Sequence, residues 1–259
     1  MKLKLYQIDA FASNVFEGNP AAICPLDEWL PDGLMQSIAA ENNLSETAFF
    51  VKNKTGYEIR WFTPTTEVDL CGHATLASAF VIFSILNEQY NEIHFDSKSG
   101  VLSVKQDNDM LVMNFPAQPI TPCETPIAIN KSFAVQPNQC ARREDYVLIF
   151  DNEADVINAS PDIAQLAQLD LRGVVITAPS NQYDFVVRFF APKYGINEDP
   201  VTGSAFTQLA PYWAEVLCKQ QLHAKQVSQR GGEVTCAVEG NRVVIAGKAV
   251  QYMEATIEV

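Results

Sequence analysis

The stretch "VDLCGHATLASAFVIF", Val68 to Phe83, constrains the fold more than any other part of the chain. From Ala74 to Leu86 the only polar side chains are Thr75, Ser78 and Ser84, so the run reads as a helix that is apolar on every face. Such a helix has to be covered on every face. Cys71, Gly72 and His73 stand at its start. The first turn of a helix leaves backbone N–H groups unpaired and carries the positive end of the dipole, which suits an anion. A core helix whose start faces a cleft accounts for both features.

A second copy of this pattern follows. "IRWFTPTTEVDLCGHATLASAFVIF" and "VRFFAPKYGINEDPVTGSAFTQLAPYW" each open on a strand-like Arg-aromatic run, Arg60-Trp61-Phe62 and Arg188-Phe189-Phe190. Each has a proline two residues later, Pro64 and Pro192, then a polar residue, a glycine and an apolar helix. Cys71 and Asp199 hold the same place, each 11 positions after its arginine. Downstream, "SKSGVLSVKQDNDMLVMNF" and "SQRGGEVTCAVEGNRVVIA" both read strand, polar turn, strand. Upstream, "AAICPLDEWLPDGLMQSIAAENNLSETAFFV" and "VLIFDNEADVINASPDIAQLAQLDLRGVVITA" both read strand, helix, strand. Four matches in one order point to an internal duplication. The expected fold class is α+β: two similar domains, each a curled, mostly antiparallel, barrel-like sheet around a central helix. The proline-rich "NFPAQPITPCETP" reads as the linker. It sets expected lobes at residues 1–117, completed by the last strand at 250–259, and 118–249. Pro211 lies inside the second helix and is expected to kink it or shift its register.

Composition excludes some functions. The chain of 259 residues has a net charge of −13, which argues against nucleic acid, whose phosphates need clustered Lys and Arg. The apolar helix is too short for a membrane span. The N-terminal "MKLKLYQIDAF" has no signal-peptide pattern, and the 6 cysteines show no CxxC pair, so a cytoplasmic setting with reduced thiols is expected. Outside position 71 the cysteines read as small packing residues. The three histidines lack ligand spacing, and no metal site is expected.

Four ordered motifs, "GNPAAI" (Gly18 to Ile23), "NLSETAFF" (Asn43 to Phe50), "FTPTTEVDLCGHATLASA" and "EDPVTGSA", resemble those of the PhzF-like isomerases, named for phenazine biosynthesis. The likeness covers essentially the whole chain and extends more distantly to the diaminopimelate epimerases. It implies the two-domain epimerase fold, an active site in the cleft between the domains, no metal or organic cofactor, and a homodimer as a plausible assembly. It also implies that Glu46 takes a proton from one carbon and returns it at another. By the same likeness His73 and Asp199 assist as catalytic residues, and Asn19, Cys71, Gly72, Gly203 and Ser204 hold the substrate. The second cysteine of the epimerases is replaced here by Asp199, so a symmetric two-thiol racemase is not available.

Each of these residues has a plainer reading. Glu46 alone is a strand-edge carboxylate, although its neighbourhood "ETAFFV" is apolar. Asp199 before Pro200 is a good helix cap. His73 could be a core histidine, and a helix N-terminus would hold it neutral at pH 7. The expected function is a cofactor-independent isomerase or epimerase acting on a small carboxylate by general acid–base catalysis. Two rivals remain: a thiol-assisted amino-acid racemase using Cys71, and a non-catalytic ligand-binding or adaptor protein.

Overall fold

The computed structural model describes residues 1–259 and divides into two compact units. The first comprises Met1–Asn114 and Ala246–Val259, the second Phe115–Ile245.

In the first unit the order is β1 (Lys2–Ala10), β2 (Asn19–Leu26), α1 (Asp32–Asn42), β3 (Glu46–Lys52), β4 (Tyr57–Phe62), β5 (Glu67–Val68), α2 (Gly72–Phe80), β6 (Glu92–Ser97), β7 (Gly100–Asp107) and β8 (Met110–Pro116). In the second it is β9 (Thr121–Pro122), α3 (Ile127–Ser132), β10 (Gln139–Arg142), β11 (Tyr146–Ile149), α4 (Glu153–Ile157), α5 (Ile163–Leu166), β12 (Val174–Pro179), β13 (Phe185–Ala191), β14 (Ile196–Asp199), α6 (Gly203–Leu217), β15 (Gln221–Gln226), β16 (Gly232–Glu239) and β17 (Arg242–Gly247). The last strand, β18 (Ala249–Glu258), returns to the first unit and runs antiparallel to β1 from Lys2↔Glu258 to Ala10↔Ala249.

The duplication is written in the strand pairings. β1 to β2 is antiparallel, β2 to β3 parallel, β3 to β4 antiparallel, β4 to β6 parallel and β6 to β7 antiparallel. β10 to β11, β11 to β12, β12 to β13, β13 to β15 and β15 to β16 repeat the same series. The Arg-aromatic runs repeat down to side chains. Arg60 grips Glu67 with Nε and Nη2 at 2.8 and 2.9 Å, and Arg188 grips Glu198 the same way at 2.7 and 3.0 Å. Each guanidinium also lies over the phenylalanine two residues on, Phe62 at 5.2 Å and Phe190 at 5.1 Å. Each pair ties a central strand to the short strand that leads toward a helix, β5 or β14.

The helix α2 packs against β1, β2, β3 and β18, and His73 to Ala79 are all buried. Removing a large apolar side chain from water contributes roughly 1.5–3 kcal/mol, against about 1 kcal/mol for a cap. Leu76, Val81 and Ile82, each fully buried, therefore decide where α2 lies, and the Cys71 side chain does not cap it. The regular helix is shorter than the sequence suggests. It ends at Phe80 and continues as a wider turn from Val81 to Ile85, closed by Leu86 N–H on Val81 O at 2.9 Å. That turn keeps Val81, Ile82 and Phe83 inside.

The counterpart α6 runs through Pro211 without a break. A proline there cannot donate to Thr207 O. The Gln118 backbone N–H supplies the missing bond at 2.9 Å. Trp213 on the same helix stacks on Phe185 at 5.6 Å and donates to Thr177 Oγ1 at 3.0 Å. The cysteines correct a second expectation: Cys24, Cys140 and Cys236 are buried, but Cys218 is exposed at the left-handed end of α6.

Candidate active site

Asn19 is placed by Gly18. The chain leaves β1 and turns into β2 through Gly18 at φ +65°, where a Cβ would stand 2.1 Å from Ala10 O. Only glycine fits a left-handed turn that close to another backbone. The turn delivers Asn19, fully buried, to the first position of β2. Gly18→Ala is expected to cost more than the roughly 1–2 kcal/mol of left-handed strain, because the clash is with backbone. A thermal melt several degrees below wild type, with activity reduced in step, checks this. An unchanged melt would show that the turn can open freely.

Glu46 opens β3, which pairs in parallel with β2 at Ala21↔Glu46. Cys71 and His73 come from the start of α2. Together they form one buried group, with Glu46 9% exposed, Cys71 7% and His73 6%. Asn19 Nδ2 lies 3.2 Å from His73 Nδ1, Cys71 Sγ lies 3.6 Å from the same nitrogen, and His73 Nε2 lies 3.2 Å from Glu46 Oε2. With the Asn19 NH₂ placed against it, Nδ1 is the accepting nitrogen and the ring hydrogen is assigned to Nε2, whose 3.2 Å approach to Glu46 Oε2 is close but lacks hydrogen-bond geometry. Gly72, between Cys71 and His73, has nothing within 4 Å of where a Cβ would be. The start of α2 is therefore open at that point.

Burial pushes the His73 pKa down to about 3. The cause is desolvation rather than the helix terminus, and it favours the neutral ring. The consequence for stability follows from linkage. The unfolded chain takes up the proton below pH 6.5 and the folded chain does not, so stability is full above 6.5 and falls with pH. The expected slope from this one residue is about 1.4 kcal/mol per pH unit below 6.5. Urea unfolding of wild type and His73→Gln between pH 7 and pH 5 tests it. The variant's stability should be flatter in that window, and equal slopes would contradict the assignment.

In the second unit, Asp199 is the last residue of β14 and pairs with Phe189 on β13. It does not cap α6. That helix starts at Gly203 with Thr202 at the cap position, and Pro200 lies outside it. The reason is Gln226, fully buried on β15. Its Oε1 accepts from Thr202 N–H at 2.8 Å and its Nε2 donates to Asp199 O at 2.6 Å, so this one side chain braces the segment from 199 to 202. The Thr202 hydroxyl donates to Asp199 Oδ2.

Ser204, one residue into α6, accepts from Arg172 Nη1 at 3.0 Å. Arg172 is itself clamped by Asp145, with Nε to Oδ1 at 2.9 Å and Nη2 to Oδ2 at 2.5 Å. Asp145 is fully buried and also accepts from Gln208 Nε2 at 2.6 Å, while Gln208 Oε1 accepts from the N–H groups of Glu144 and Asp145. Burial opposes charge on Arg172, but the hydrogen bonds and charge of Asp145 outweigh it and leave its pKa raised. Sequence reasoning missed Asp145, Arg172 and Gln208. The available signal was Gln208, a polar side chain within the apolar "GSAFTQLAPYW".

Of the sequence-selected residues, Asn19, Glu46, Cys71, Gly72 and His73 thus meet in the first unit. Asp199, Gly203 and Ser204 lie within six positions of one another at the start of α6 in the second. No helix is long and apolar enough to cross a membrane.

The sequence profile of the phenazine biosynthesis-like protein family matches residues 8–255. An uncharacterized isomerase of Pseudomonas aeruginosa is 49% identical over 257 residues, covering 99% of each chain. The crystal structure of a PhzF-family phenazine biosynthesis protein from Enterococcus faecalis superposes with a TM-score of 0.98 at 43% identity, covering 100% of both chains. A hydroxyproline epimerase from Agrobacterium vitis shares the fold alone, at 11% identity and a TM-score of 0.61 over 99% of this chain and 92% of its own. With the strand-by-strand duplication and motifs spread across nearly the whole length, the chain belongs to the phenazine biosynthesis-like PhzF family and is an isomerase.

Proposed function

We propose that the chain is a cofactor-independent isomerase or epimerase that moves a proton on a small carboxylate, with Glu46 as the group that takes and returns it. The observation that carries this reading is the Nε2 of a neutral, buried His73 lying 3.2 Å from Glu46 Oε2. A carboxylate in an apolar setting is a competent base, because burial raises its affinity for a proton. His73 packs beside that carboxylate, and Asn19 contacts the ring at Nδ1. The open start of α2 at Gly72 offers backbone N–H groups for the substrate carboxylate. In the second unit we assign Asp199 to assist catalysis, and Gly203 and Ser204 to substrate holding. Arg172 donates into the Ser204 oxygen, which leaves the hydroxyl hydrogen for an anionic partner.

The 3.6 Å between Cys71 Sγ and His73 Nδ1 favours one second reading, in which the thiol is a base. Cys71→Ser separates the two. The Glu46 reading expects kcat within a few-fold of wild type, and a loss of roughly 10²-fold or more would transfer the role to the thiol. A protein that only binds carboxylates would exchange no deuterium into them from heavy water, whatever residue 71 is.

A further inference from the structure

We propose that Glu46, Cys71 and His73 also form a binding site for one zinc ion, and that the bound ion switches proton transfer off. One donor atom from each of the three buried residues lies within 4.8 Å of the other two. Tetrahedral zinc, with about 2.3 Å to sulfur and about 2.0–2.2 Å to nitrogen or oxygen, sets its ligands about 3.3–3.8 Å apart. One zinc takes only one nitrogen of the ring, so either the Nε2–Oε2 distance of 3.2 Å or the Nδ1–Sγ distance of 3.6 Å belongs to the ligand set, and the other pairs lie within 4.8 Å. The widest pair needs to close by about 1 Å from 4.8 Å.

The donor set is selective. A thiolate, an imidazole and a carboxylate suit zinc, whereas magnesium and calcium take oxygen shells. Three protein ligands leave a fourth position for water, the pattern of an open rather than a purely structural site. Spacing among histidines could not reveal it, because Glu46 arrives from β3 and the thiol from the turn before α2. The binding step is a proton–metal exchange: the Cys71 S–H bond breaks, the sulfur–zinc bond forms and that proton leaves to solvent, while the imidazole keeps its one hydrogen on the nitrogen that does not bind and gives up the contact now made at the nitrogen that does. No electron moves. With its carboxylate on the ion, Glu46 cannot accept a substrate proton. This inhibitory consequence rests on the function proposed above, whereas the site itself does not.

The full-length chain, dialysed against chelator and titrated with Co²⁺ as a coloured stand-in for Zn²⁺, gives the direct test. Expected are one equivalent bound, a near-ultraviolet thiolate-to-cobalt band and displacement of that band by Zn²⁺. The band should vanish in Cys71→Ser, persist in Cys218→Ser, and need at least about tenfold more metal in Glu46→Gln. Circular dichroism confirms that each variant is folded. No band in wild type, or an undiminished band in Cys71→Ser, would overturn the site. On the same samples, deuterium exchange into a carboxylate substrate should stop at one equivalent of Zn²⁺ and return with EDTA. Unchanged exchange at full occupancy would overturn the inhibitory role. A cobalt band from a chain that shows no exchange even without metal would uphold the site and count against the proton transfer proposed above.

Discussion

Glu46→Gln leaves the chain folded and lowers kcat by roughly 10²–10⁴-fold. Glutamine keeps the shape of the side chain and an oxygen that can lie against His73 Nε2, where the carboxylate oxygen now sits at 3.2 Å. What it removes is the ability to carry a proton. Because the substitution spares binding contacts, KM should move far less than kcat. Thermal melts and circular dichroism matching wild type, together with the kcat loss, satisfy the expectation. Wild-type turnover in the variant would remove Glu46 from the chemistry.

Arg172→Met is expected to be the most destabilising single change in the second unit. It strips the fully buried Asp145 of its bidentate partner and leaves Gln208 as its remaining side-chain donor. Removing one partner of a buried ion pair costs about 3–5 kcal/mol, because the other charge stays desolvated. For a chain of this length that corresponds to a fall in Tm of about 10 °C. Asp145→Leu combined with Arg172→Met should recover much of the loss, since an apolar pair of similar volume carries no stranded charge. The double variant nevertheless loses the donor to Ser204, so its KM should stay raised while its Tm recovers. If the single variant melts with wild type, the buried pair is not the anchor described here.

Much of the architecture could be read from the amino-acid order. The two Arg-aromatic runs, the two polar turns and the two apolar helices each reappear as matching elements, because local hydrophobic pattern and turn chemistry decide them. The grouping of Glu46 with His73 was also legible, through the motifs carried by "NLSETAFF" and "CGHAT". What stayed hidden depends on partners distant in sequence. Thr202 rather than Asp199 stands at the cap position of α6 because Gln226, on a later strand, holds the intervening backbone. Pro211 is tolerated because the Gln118 N–H takes the carbonyl it leaves unbonded. The Asp145–Arg172–Gln208 group joins residues from the start of β11, the turn before β12 and the middle of α6, and no short window of sequence contains it. The regular part of α2 stops at Phe80, where composition alone continues the helix, since an apolar run does not distinguish a regular turn from a widened one.

The most direct test of the proton-transfer account is mass spectrometry of candidate small carboxylates incubated with the protein in heavy water. The account predicts that wild type adds one deuterium to a substrate, that Cys71→Ser does so at a comparable rate, and that Glu46→Gln does not. Labelling that survives in Glu46→Gln but disappears in Cys71→Ser would contradict it.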